Sequence, residues 1–187
     1  VIATNYAVYE KSTLPYHPYM NADQQSKEMI DALAAGKAML AENGGEATAG
    51  DTLFLSGYSQ GGFVAMATHR AMQDLGIEVA ASAPGAGPFA MGLFGDNVFQ
   101  GKESTPGDGL QVPLLITSFQ KSYGDIYAGA EDFYNPAFAS GIEGLLPADG
   151  NPGRSCSEGR LPQKAIFSEM APKAADPTLQ RALDAVT

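Results

Sequence analysis

The 187-residue chain has no tryptophan, one cysteine and two histidines. Each scarcity narrows what it can be. A lone cysteine, Cys156, excludes an internal disulfide, and it reads as a free thiol or as half of a bridge whose partner lies elsewhere. No cluster of Cys, His and carboxylates has metal-ligand spacing, so neither a metal nor another cofactor is expected. Positive charge is also scarce, with 11 basic against 21 acidic residues and a formal net charge of -10. That balance argues against nucleic acid or an anionic membrane as partner, since both would repel the chain. No apolar run approaches the ~20 residues that span a bilayer, so no transmembrane segment is expected. Repeats and low-complexity tracts are absent.

What is present suits a globular chain: 44% hydrophobic and 17% charged residues, with length enough for one real core. Periodicity and breakers give the layout. Val1–Tyr6 reads as a strand and Ala7–Asn21 as a loop. Ala22–Glu42 reads as a helix, with Met29, Ile30, Leu33 and Leu40 on one face and Asn43-Gly44-Gly45 as its stop. Thr52–Gly57 is a second strand, read as buried. Gln60–Leu75 is a second helix, ended by Gly76, and Ile77–Ala83 a third strand, ended by Pro84-Gly85. Strand and helix alternate, which predicts a parallel α/β sheet with right-handed crossovers. After Pro84 the alternation fades. The stretch 85–111 has no clear assignment, and Val112–Tyr123 suits a strand or a helix. Tyr127–Ala139, Lys164–Met170 and Pro177–Val186 read as short helices. The expected organisation is a partial sheet core over residues 1–84 and a connecting, helical cap or lid region over 85–187.

The chemistry-bearing motif is Gly57-Tyr58-Ser59-Gln60-Gly61, followed by Gly62. A G-x-S-x-G match alone is common. With a strand before it and a helix after it, the motif reads as a nucleophile elbow. The expected nucleophile is Ser59, on a strained turn with positive φ, its flanking glycines giving strand and helix room to approach. The Gln60 backbone amide is the expected oxyanion donor, aided by the helix dipole.

The base is harder to find. Ser59 needs one, and the chain order of this elbow is Ser, then Asp or Glu, then His. No histidine follows His69. His69 lies ten residues into the helix, roughly 15 Å from the serine at ~1.5 Å rise per residue. His17 is the better of two poor candidates, because its loop follows the first strand and opens on the sheet edge of the elbow. Its Pro- and Tyr-flanked setting nevertheless reads as a structural imidazole bonded to backbone. Asp96, Asp108, Asp125 and Asp149 follow Ser59, each in a setting where a solvated turn carboxylate is the default. The aromatics Phe89, Phe94, Phe99, Tyr123, Tyr127, Phe133, Tyr134 and Phe138 are candidates for a substrate pocket or for core.

The order is a strand, a tyrosine-containing turn, the loop Lys11-Ser12-Thr13-Leu14-Pro15-Tyr16-His17-Pro18-Tyr19, a helix, then Gly57-Tyr58-Ser59-Gln60-Gly61-Gly62. It resembles the secretory lipase family of α/β-hydrolases, the lipase A type with a helical lid. The resemblance extends over Ser118-Phe119-Gln120-Lys121-Ser122-Tyr123-Gly124 and Gly144-Leu145-Leu146-Pro147. Relatives tend to carry Asp-Tyr-x-Gly-x-Gly where this chain has Asn5-Tyr6-Ala7-Val8-Tyr9-Glu10, so Val8 and Glu10 replace glycines. The resemblance implies an esterase or lipase working through an acyl-enzyme on a small-molecule ester or lipid, in a secreted or periplasmic protein. It also implies that the first strands, the second oxyanion donor and the triad Asp and His lie outside the matched span. The chain then reads as an internal part of such a protein, with a missing segment or a second chain completing the triad. An acyltransferase, thioesterase or peptidase uses the same elbow. A catalytically inactive module with a structural or binding role is the reading from another class.

Overall fold

The computed structural model describes residues 1–9, 11–42, 47–100 and 108–146. The helices expected at Lys164–Met170 and Pro177–Val186, and Asp149, lie outside the described residues. The chain divides into two compact units. One holds Val1–Tyr6 and Met20–Phe89; the other holds Ala7–Tyr19 and Ala90–Thr187.

In the first unit, α1 spans Ala22–Glu42, β1 Phe54–Tyr58, α2 Gln60–Asp74 and β2 Ala81–Gly85. Helix α1 starts where Asn21 can cap it: Asn21 Oδ1 accepts from the Gln24 amide at 3.0 Å. Asp23 in the first turn complements the helix dipole. Helix α2 ends in a Schellman motif. Gly76 takes φ 70, its amide donates to the Gln73 carbonyl at 3.0 Å, and the Ile77 amide donates to Met72 at 2.8 Å. A left-handed residue is needed there, and glycine adopts it without a Cβ penalty.

β1 and β2 pair in parallel, with Phe54 opposite Ala81 and Tyr58 opposite Gly85. The expected parallel α/β arrangement is present: a parallel sheet flanked by helices, incomplete, with two strands among the described residues. Three expectations need correction. Val1–Tyr6 is not a ladder strand. An apolar run becomes a strand only by pairing, and no described strand pairs with it; Ile2 instead packs its side chain against Gly36 of α1. β1 is not buried, since Phe54 is 67% and Tyr58 78% exposed. Its outward face has no layer over it among the described residues. Finally, Pro84 and Gly85 lie inside β2 rather than ending it. Among the described residues no strand pairs with the other side of β2, so the missing amide donor of Pro84 breaks no ladder bond there.

The second unit is helical among its described residues: α3 Met91–Phe99, α4 Asp108–Tyr123, α5 Ala130–Phe133, α6 Pro136–Ala139 and a 3-10 turn at Glu143–Leu145. The Val112–Tyr123 ambiguity resolves as helix, and Tyr127–Ala139 becomes two single turns. α4 buries every residue from Val112 to Phe119, Pro113 included. Gln120 closes the turn behind it, its Oε1 accepting from the Ile126 and Tyr127 amides at 2.9 and 3.1 Å. Gly124, at φ 79, makes that turn possible. An exposed Lys121–Glu143 ion pair at 3.0 Å adds at most ~1 kcal/mol.

Tyr134 is fully buried in this unit, its ring 5.3 Å from Phe133 and its hydroxyl 3.5 Å from the Pro113 carbonyl. Burial, foremost, pushes its pKa far above the ordinary 10.0. The sign follows from that. The folded pKa exceeds the unfolded one, so the stabilisation is fully present below pH ~10 and is lost as pH rises further. Alkaline titration with ultraviolet detection is expected to show one tyrosine ionising only as the protein unfolds. Tyr134→Phe should remove that late ionisation and flatten the alkaline loss of stability. An unchanged titration in the variant would contradict this account.

Candidate active site

The parallel register brings the C-terminal ends of β1 and β2 side by side, with Tyr58 opposite Gly85. Ser59 follows β1 directly and is the first residue off that edge. Its backbone takes φ 54 and ψ -119, the positive φ that the motif predicts. Such a conformation costs a non-glycine residue roughly 1–3 kcal/mol and persists only where its surroundings impose it.

Those surroundings are close backbone contacts. The Ser59 amide donates to the Gly85 carbonyl at 2.8 Å, tying the elbow to the end of β2. The Ser59 carbonyl accepts from the Gly62 and Phe63 amides at 2.9 and 3.2 Å and so starts α2. A Cβ on Gly57 would collide with the Gly61 backbone. One on Gly62 would lie 2.6 Å from the Gly85 carbonyl oxygen. Gly61 differs: a Cβ there would meet nothing within 4 Å, so it contributes its backbone and not the absence of a side chain. Sequence reasoning missed Gly85 and Gly87. They read as strand-end punctuation, yet a Cβ on Gly87 would lie 2.8 Å from the Phe63 amide nitrogen. The usable signal was a Gly-Ala-Gly run at the end of the next parallel strand. Ala86 between them also holds positive φ, at 48.

Ser59 occupies the N-cap position of α2 without using its side chain as a cap. The residue is half-buried, and no cap hydrogen bond ties its hydroxyl to the helix. Gln60 and Gly61 are the first residues of α2, and amides at these positions point out of the helix N-terminus. The first turn contains no acidic side chain to offset the positive end of the dipole. A nucleophile placed here has donors for a developing oxyanion.

The histidines sit as follows. His69, the single histidine of this unit, pairs with Ser82 of β2, Nδ1 to Oγ at 3.0 Å. That contact was invisible in the sequence, because it joins a helix to the strand that follows it. His17, in the other unit, is 4% exposed; its Nδ1 lies 3.2 Å from the Ala7 carbonyl oxygen, with the Tyr9 and Tyr19 rings 5.3 and 5.8 Å away. Tyr16 beside it reaches Ser122 of α4 at 3.2 Å. Asp96 lies on α3, Asp108 opens α4, and Asp125 is exposed in the turn after α4. Of the candidate pocket aromatics, Phe133 and Tyr134 are core, whereas Phe89 and Tyr123 are exposed. Among the described residues no three His, Cys, Asp or Glu side chains gather as metal ligands would.

Solved structures share the fold of this chain. The rice cell wall degrading esterase LipA from Xanthomonas oryzae superposes with a TM-score of 0.80 at 26% identity, over 97% of this chain and 50% of that one. A ligand-bound form of the same esterase gives 0.79 at 27% identity, with the same coverage. The chain has an α/β-hydrolase-like fold. A second α/β-hydrolase-like neighbour, a putative hydrolase from Legionella pneumophila, matches at TM-score 0.77 and 22% identity, covering 97% of this chain and 46% of that one, a likeness of fold alone. This chain therefore spans about half the length of the solved hydrolases it matches. No protein-family model matches the sequence, and no curated protein does.

Proposed function

We propose that the chain carries the nucleophile side of a serine carboxylic-ester hydrolase, with Ser59 as nucleophile and the Gln60 amide as oxyanion donor. The observation that carries this is the elbow itself: a serine at φ 54, on the C-terminal edge of a parallel sheet, capping a helix with its backbone but not its hydroxyl. Ser59 Oγ attacks the ester carbonyl carbon and its proton passes to a general base. The oxyanion is held at the start of α2. The alcohol leaves with a proton, an acyl-enzyme remains on Ser59, and water then releases the acid. His69 is held by Ser82 on α2, and in this reading the base and its orienting acid come from a further segment of the same protein or from a second chain. By analogy with the esterase neighbours, the substrate is a small-molecule or lipid ester, and the working place is outside the cytoplasm. A chain of net charge -10 favours an uncharged ester over a polyanion.

The test uses a fluorophosphonate, which forms a covalent bond only with an activated serine, on the protein at its native length. Intact-mass and peptide analysis should find one adduct, on the peptide containing Ser59, and none in Ser59→Ala. Turnover of p-nitrophenyl butyrate should fall about 10⁴-fold or more in that variant. Ester hydrolysis that survives Ser59→Ala would move the nucleophile elsewhere. A folded protein that takes no label at all would favour the inactive module.

A further inference from the structure

The turn that leaves β2 carries two exposed apolar side chains beside the elbow. It runs Gly85-Ala86-Gly87-Pro88-Phe89 and belongs to the same unit as Ser59. Two close approaches hold it there. The Ser59 amide donates to the Gly85 carbonyl at 2.8 Å. Gly87 packs so near the first turn of α2 that a Cβ on it would lie 2.8 Å from the Phe63 amide nitrogen. The same Cβ would lie 2.5 Å from Cζ of Phe89. The tip of the Phe89 ring therefore leans back over Gly87, on the side that faces α2. The residue is nonetheless 46% exposed, so Gly87 supports part of the ring and the rest is open.

Ala86 is the second exposed group, and it sits there at a cost. It holds φ 48 and is exposed. Left-handed backbone favours glycine, and an alanine in it is strained unless its methyl gains something. An exposed methyl gains no burial, so its use lies outside the packing of this unit. The turn is also poor in polar groups. None of its side chains can hydrogen-bond, Pro88 has no amide donor, and the Phe89 amide is spent on the Gly87 carbonyl at 2.9 Å.

We propose that Ala86 and Phe89 form the wall that receives the acyl chain of the ester, and that this chain is apolar and long enough to reach the ring. The inference rests on Ser59 as nucleophile and adds the substrate class. The carbonyl carbon is held between Ser59 Oγ and the start of α2. Its acyl substituent stays bonded through both half-reactions, beside a wall built on that same helix turn. The alcohol departs toward the base, which is no part of this wall. A wall without side-chain donors or acceptors gives nothing to a charged or hydroxylated acyl group and leaves such a group unpaired.

Steady-state kinetics on the native-length protein compare p-nitrophenyl octanoate with p-nitrophenyl acetate. In Phe89→Ala the ratio of their kcat/KM values, octanoate over acetate, should fall about tenfold or more. Phe89→Leu, which keeps an apolar side chain, should restore most of it. Ala86→Gly should lower the same ratio while its Tm stays level or rises, because glycine suits φ 48. A methyl with only a structural role would do the reverse, lowering Tm and leaving the ratio alone. Circular dichroism checks folding, and Ala86→Gly carries the test if Phe89→Ala does not fold. A ratio unmoved in the folded variants would overturn the proposal. So would a loss that follows the alcohol instead, read as a changed preference between octyl and ethyl acetate. Calorimetric binding of octanoate reads the wall without chemistry and should weaken about tenfold in Phe89→Ala. It separates the two ideas: hydrolysis that survives Ser59→Ala would sink the nucleophile, whereas octanoate binding unaltered in Phe89→Ala would sink the wall.

Discussion

The 187-residue chain is expected to hydrolyse p-nitrophenyl acetate about 10²–10⁴-fold more slowly than the native-length protein, because general-base assistance contributes that much. The deficit is specific. The elbow remains, and the start of α2 still offers its amides to an oxyanion, so a residual rate should persist and should vanish in Ser59→Ala. His69→Ala should leave the residual rate unchanged, since His69 is engaged with Ser82 of β2. His17→Ala should do the same, since its buried ring is turned to the Ala7 carbonyl. Steady-state kinetics on the verified chain decides the matter. Brisk turnover abolished by His17→Ala, in a protein whose circular dichroism is unchanged, would make His17 the base and refute the division of the triad argued above.

Gly57→Ala is expected to be among the most destabilising substitutions in the first unit. The added methyl would strike the Gly61 backbone, and backbone at a helix start cannot rotate aside as a side chain can. Overpacking of this kind costs about 3 kcal/mol, the upper end of its usual range. For a chain of this size that is a fall of about 6–12 °C in Tm. Gly61→Ala is the informative control. Its methyl would enter open space, so its Tm should stay the same or rise slightly. Equal losses at the two positions, in thermal unfolding, would show that the elbow tolerates no side chain for some reason other than this contact.

The legibility of the fold varied with how local each cause was. Helix α1 was readable to its ends because Asn21 caps it and an Asn-Gly-Gly follows it in the sequence. Helix α2 was readable because Gly76 sits where a left-handed residue must. The strand starts slipped toward the C-terminus by two and four residues and the ends by one and two. β1 begins at Phe54 and β2 at Ala81, positions set by each other's ladder and by nothing in their own composition. Helix α3 escaped because Gly92 and Gly95 weaken its signal. Helix α4 stayed ambiguous because an unbroken buried run carries no period. At the site, Ser59 and its backbone angle follow from a five-residue pattern. The His69–Ser82 pair and the Gly85–Gly87 wall come from elements that meet only after folding.

Val8 holds φ 84 while 5% exposed. A β-branched residue is poorly suited to that conformation, yet its side chain is almost wholly removed from water. The two tendencies oppose each other within one residue. Glycine would relax the backbone and forfeit the burial. Valine keeps the burial and holds the chain in a bend it would not choose alone. Burial thus holds the chain at Val8 in a conformation that its backbone disfavours.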